Sequence, residues 1–169
     1  MPSTSTVLLL AGSPSDPSRS AALLDAVSLR LALRGGLTVE FLNIRELPAE
    51  ALLLAEWGHP AIVVTPVYKA AYSGVLKIFL DLLPQTALKH KTVLPLATGG
   101  SPHHLLALDC ALRPVLQSLS ARHILPGVYA TDAQIARSSE GIYMPSTNIA
   151  ARLGDTVGRG FSNAANDPL

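Results

Sequence analysis

Short apolar runs, each closed by Gly, Ser, Pro or Thr and followed by helix-like spacing, recur along this chain. Val7–Ala11 is the first such run, and it is continuous rather than alternating, as expected of a strand covered on both faces. Gly12–Ser18 cannot be helix but can precede one. From Ser20 to Arg34, Leu23, Leu24, Val27 and Leu31 fall on one helical face, and Gly35-Gly36 supplies the stop. Leu37–Asn43 alternates, which predicts a strand nearer an edge, and Pro48 opens a short helix through Glu56. Ala61–Thr65 reads as a third strand cut off by Pro66, Gly74–Leu83 as a helix ended by Pro84, and Thr92–Ala97 as a fourth strand. A long helix over His103–Ser120 and a fifth strand over Ile124–Tyr129 follow. Ile149, Ala150, Leu153 and Val157 space one more amphipathic helix, and 158–169 is a Gly/Asn/Ser-rich, flexible tail.

Strand, turn and helix in repetition predict a five-stranded parallel, doubly wound α/β sheet with helices on both faces, in a single domain over 1–157. Pro114 interrupts the fourth helical stretch. Its ring opposes the Cys110 carbonyl and its nitrogen carries no hydrogen, so a kink or a π-bulge is expected near Cys110.

Composition narrows the functions. With 49% hydrophobic and 15% charged residues in 169, the chain is no disordered segment. A net charge of +1 gives no general case for nucleic acid or anionic membrane. No apolar run reaches the ~18 residues of a membrane span, and the N-terminal run lacks the basic start of a secretory signal. One cysteine allows no internal disulfide, which points to the cytoplasm. His59, His90, His103, His104 and His123 show no metal-ligand spacing, and no G-x-S-x-G elbow is present.

Ligands of open α/β sheets sit beyond the strand carboxyl ends, where this chain has its unusual turns. Ser13, Ser15, Ser18 and Ser20 with Arg19, at a helix start, form a candidate site for a lone phosphate, against the plainer reading of an N-cap. The turn lacks both the Walker Lys and the glycines of a dinucleotide fingerprint. Thr65–Gly74 has a proline fixing the strand end and tyrosines at Tyr68 and Tyr72 that could stack on a ring or pack on another subunit. Gly99 and Gly100, without side chains, allow close backbone approach or mark an ordinary tight turn. The absence of acid/base machinery suits flavin hydride chemistry, which asks the protein mainly for orientation.

Ala11–Pro14 with Pro17–Ser20, Thr65–Gly74, Leu94–Gly100, Asp109–Leu116 and Gly127–Ala130 together resemble the NAD(P)H-dependent FMN reductases. More narrowly they are similar to the reductase component of two-component alkanesulfonate monooxygenase systems. The resemblance implies a flavodoxin-like fold, FMN and NAD(P)H as cofactors, hydride transfer to flavin N5 without a catalytic protein residue, and delivery of reduced FMN to a partner monooxygenase. It places Ser13, Ser18, Arg19 and Ser20 on the FMN phosphate, Pro66, Val67 and Tyr68 beside the isoalloxazine, and Thr98, Gly99 and Gly100 on the opposite wall. It also implies a homodimer or homotetramer, with Tyr72 and Cys110 at subunit contacts. Relatives of the sulfonate branch often carry an aromatic residue at the Cys110 position. The family's members usually carry an extra helix between the positions of Ala61 and Ile62, where this chain runs straight into a strand, through a trimmed crossover or an omitted segment. Competing readings are a quinone or azo reductase that retains FMN and an electron-carrier flavodoxin, the latter disfavoured by the near-neutral charge.

Overall fold

The computed structural model describes residues 5–47 and 60–161. Strands β1 (Ser5–Ala11), β2 (Leu37–Asn43), β3 (Ala61–Tyr68) and β5 (Thr92–Gly99) run parallel in the order β2-β1-β3-β5. The far edge is shared by two short strands, β6 (His123–Ile124) and β7 (Val128–Thr131), both paired with β5. A two-residue strand, β4 (Ala71–Tyr72), folds back antiparallel on β3.

Alternate strand residues divide between two apolar layers. Val7, Leu9, Ile62, Val64, Leu94 and Leu96 meet helices α1 (Arg19–Arg34) and α4 (Thr147–Gly160). Leu10, Val63, Val93 and Ala97 meet α2 (Gly74–Leu82) and the helical stretch ending in α3 (Arg113–Ser118). Both faces of the central strands are thus covered, which explains their uninterrupted apolar runs, and β2 takes the predicted edge position.

Several boundaries differ from expectation for identifiable reasons. The third strand does not stop at Thr65: Pro66 stays in β3, in register with Thr98, and the chain continues to Tyr68. A proline fits extended backbone and forfeits only its own N–H. The fourth strand likewise runs past Ala97 to Gly99. The fifth is split at Leu125-Pro126-Gly127, opposite Pro95, which has no N–H to offer the ladder. The long helix of residues 103–120 is three pieces: a 3₁₀ turn at Pro102–Leu105, a π-helix at Ala107–Leu112, and α3. The π-helix lies where Pro114 predicts it.

Helix α4 extends to Gly160, into the segment read as tail, and 162–169 lie outside the described residues. So does the helix expected at Pro48–Glu56. Ala61 and Ile62 are consecutive in β3, in register with Leu8 and Leu9, so the strand itself contains no insertion. A hairpin of β8 (Ile135–Arg137) and β9 (Tyr143–Pro145) has no counterpart in the sequence reading.

Candidate flavin site

The turn after β1 is fixed from below. The Gly12 N–H donates to the Val64 carbonyl at 2.8 Å, and a Cβ there would come within 2.9 Å of that oxygen and 3.1 Å of Leu76 Cβ. Only glycine lets the turn pass this close. The Ser73 hydroxyl donates to the Gly12 carbonyl and accepts from the Leu76 amide, so one side chain caps α2 and ties it to the first turn. The Ser73 amide in turn donates to Thr65 Oγ1 at 3.0 Å.

Helix α1 then starts under the turn. Ser18 is its N-cap, Oγ accepting from the Ala21 amide at 3.1 Å. The first backbone bond of the helix runs from Ala22 to the Ser18 carbonyl, which leaves the Arg19 and Ser20 amides without intrahelical partners. Ser18 is thus the N-cap of the plainer reading, and its hydroxyl proton has no acceptor among the described residues. Ser13, 5% exposed, donates to the Ser15 carbonyl at 3.1 Å. Ser20 lines the cleft, but its hydroxyl is bound to Thr98 Oγ1 at 3.2 Å, so it joins α1 to the end of β5.

Arg19 is held in place. Its Nε donates to the Ile135 carbonyl at 3.2 Å, and its guanidinium carbon stands 4.8 Å from the Tyr143 ring centroid. Asp132 Oδ2 lies 3.6 Å from Arg19 Nη1.

On the opposite wall, Gly99 has no room for a side chain: a Cβ would sit 2.7 Å from the Tyr129 hydroxyl and 3.3 Å from Val67 Cβ. That hydroxyl donates to the Ser101 carbonyl at 2.7 Å and fixes the loop. Burial first, and the Asp132 charge second, push the Tyr129 pKa up, so it remains a donor through the neutral range. His104 Nδ1 lies 3.4 Å from the same Cβ position, buried and without a hydrogen-bond partner among the described residues.

Ser13, Ser18, Arg19, Ser20, Pro66, Val67, Tyr68, Thr98, Gly99 and Gly100 all border one open cleft of about 180 Å³ beyond the carboxyl ends of β1, β3 and β5. Every residue expected at the cofactor is therefore on it. Tyr72 and Cys110 are not: Tyr72 is half-buried on β4, which packs against the π-helix, and Cys110 is exposed on that helix. Ser15, Pro17, Asp132 and Tyr143 also line the cleft. Asp132 follows a strand carboxyl end, the same signal that pointed to the other turns, but the predicted fifth strand stopped short of it. Two larger grooves, about 750 and 400 Å³, lie against α4 and include none of these turn residues.

The donors fit a phosphoryl group: two unspent amides, a hydroxyl proton and a guanidinium converge at a helix start. Across the cleft, Gly100 has open space beside it, the nearest atom to a Cβ being Asp132 Oδ2 at 3.9 Å. That leaves a flat backbone surface suited to a ring.

A parallel α/β sheet with such a cleft at its carboxyl ends is the flavodoxin-like arrangement. Flavodoxins share the fold: that of Streptococcus pneumoniae TIGR4 superposes with a TM-score of 0.62 at 16% identity, over 90% of this chain and 94% of its own. An apo NADH:FMN oxidoreductase is nearer, with TM-score 0.84 and 34% identity over 98% of this chain and 92% of that one. The model of the NADPH-dependent FMN reductase family matches residues 56–135. An FMN reductase (NADPH) of Escherichia coli strain K12 is 50% identical over 76% of this chain and 74% of its own length. An NADH-dependent FMN reductase of Pseudomonas putida is 34% identical over 87% and 86%. The chain belongs to the NADPH-dependent FMN reductase family.

Proposed function

We propose that the protein reduces FMN with NAD(P)H in the cytoplasm and delivers the reduced flavin to a separate monooxygenase, one acting on alkanesulfonates. The observation that carries the reading is the meeting of the serine turn, the Pro66–Tyr68 strand end and the Thr98–Gly100 loop around one cleft. Bound flavin would supply the hydride acceptor, N5, and the nicotinamide its donor, C4, with a proton taken from solvent to complete the reduction.

The chain's own residues bind and orient. Ser13, Ser18, Arg19 and the amide of Ser20 hold the phosphate, and the Ser20 hydroxyl fixes the wall behind it. Pro66, Val67, Gly99 and Gly100 present backbone to the ring, and Tyr68, 49% exposed, stands at the mouth to exclude water. No side chain is required to carry a proton. Copies of the chain associate through the region of Tyr72 and Cys110, as a homodimer or homotetramer. Sedimentation of wild type and a Tyr72→Asp variant tests that association.

The activity is tested by mixing purified protein with excess free FMN and NADPH or NADH without oxygen. Nucleotide oxidation over many equivalents of FMN is the expected result. Arrest after one equivalent of bound flavin, relieved only by a quinone, would replace the reading with that of an FMN-retaining quinone reductase.

A further inference from the structure

A cleft built for phosphate gains from positive charge, yet a carboxylate stands on its rim. Asp132 lines it with Ser18, Arg19 and Gly100. Its side chain is 45% exposed, and its Oδ2 approaches Arg19 Nη1 only to 3.6 Å, beyond hydrogen-bond distance. A pair this exposed is screened by water and adds little to folding, too little to explain a carboxylate in this place. Nor does Arg19 need it for orientation, being held by the Ile135 carbonyl and the Tyr143 ring. The neighbouring 3₁₀ turn, Asp132–Gln134, is capped by Thr131 and Gln134, not by the Asp132 side chain. What remains is the charge itself, set on the cleft rim between the Arg19 guanidinium, 3.6 Å away, and Gly100, whose Cβ position is 3.9 Å away.

We infer that Asp132 keeps the affinity for FMN low: it offsets Arg19 before the phosphate arrives and repels the phosphate once there, so that flavin exchanges rather than stays. This rests on the flavin reading proposed above. A phosphate monoester brings about −1.5 to −2 charges at neutral pH, so Arg19 alone would favour it and the Arg19–Asp132 pair is nearly neutral toward it. The residue thereby sets whether flavin behaves as a substrate or as a fixed group.

The test is flavin affinity, read by fluorescence quenching, for Asp132→Asn and Asp132→Glu with FMN and with riboflavin, which lacks the phosphate. Asp132→Asn is expected to bind FMN about three- to tenfold more tightly, riboflavin unchanged, with the gain shrinking as salt is raised. Asp132→Glu keeps the charge and should bind FMN as weakly as wild type. Asp132→Ser, which removes the charge through a different side chain, is expected to repeat the gain and guards against a folding defect peculiar to Asn. Unchanged or weaker FMN binding overturns the inference, and so does equal tightening of FMN and riboflavin. FMN binding no better than riboflavin in wild type and still no better in Asp132→Asn and Asp132→Ser would remove the phosphate site itself, and this inference with it.

Discussion

The hydroxyls of Ser20 and Thr98 lie 3.2 Å apart in a buried position, bridging the first turn of α1 and the end of β5 directly behind the cleft. Breaking one half strands the other. Ser20→Ala or Thr98→Val alone should lower stability by about 1–2 kcal/mol, since a buried hydroxyl loses its partner. The double variant should cost no more than either single one, because both polar groups are then gone. Urea unfolding of the set measures the coupling, and additive losses would contradict a direct bond between them.

Ser18 and Arg19 separate stability from binding. Ser18→Ala removes the N-cap and should cost about 1 kcal/mol, whereas Ser18→Gly should cost only a few tenths. Both lose the hydroxyl proton, so both should weaken FMN binding alike. Arg19→Ala should reduce FMN affinity by about tenfold or more while riboflavin affinity stays within about twofold. Parallel thermal melts and flavin titrations check the pattern, and equal losses for FMN and riboflavin would remove Arg19 from the phosphate.

The paired glycines of the β5 loop are expected to behave differently. In Gly99→Ala the new methyl meets the Tyr129 hydroxyl at 2.7 Å, and moving that ring breaks its bond to Ser101. A loss of about 1–3 kcal/mol is expected. Gly100→Ala has nothing nearer than 3.9 Å and should unfold like wild type to within about 0.5 kcal/mol. Its methyl projects into open space, so flavin affinity is the property it should lower. Chemical denaturation and flavin titration of both variants give the comparison.

Much of this arrangement is legible in the amino-acid sequence. Val7–Ala11 and Ala61–Thr65 are nearly unbroken apolar runs because α1 and α2 cover opposite faces of the sheet, and the clearer alternation of Leu37–Asn43 marks an edge. Pro114 announced the π-helix because its consequence is local: one absent N–H and one crowded carbonyl. The turn residues of the site were legible for a similar reason, as departures from regular structure at strand ends.

What escaped depends on distant partners. Nothing near Ile135–Arg137 or Tyr143–Pro145 has the length or alternation of a strand, and the two segments become one only by pairing with each other. Tyr143 reaches the cleft through that hairpin, and Asp132 through a strand that ends at Thr131, two residues beyond the predicted end at Tyr129. Ser20 reads as an anion ligand from its sequence neighbours; only the position of Thr98, far along the chain, reveals that its hydroxyl also ties α1 to the end of β5.

Strand β3 running on past Pro66 has a consequence at its end. Val67 pairs with Tyr72 and Tyr68 with Ala71, so only Lys69 and Ala70 remain to turn the chain. Both adopt left-handed backbone, φ 50° and 64°, the conformation a two-residue hairpin of this twist requires. Neither residue is suited to it, and a side chain costs roughly 1 kcal/mol there relative to glycine. Ala70→Gly should therefore stabilise the fold by about 0.5–1 kcal/mol, and Lys69→Asn with Ala70→Gly by somewhat more, both measured by urea unfolding. Strain held beside a ligand cleft is often tied to function. If the tight turn serves only to place Tyr68 at the mouth, the relaxed variants keep wild-type FMN affinity. A gain in stability joined to a loss of affinity would show instead that the left-handed pair holds the Pro66–Tyr68 wall against the flavin.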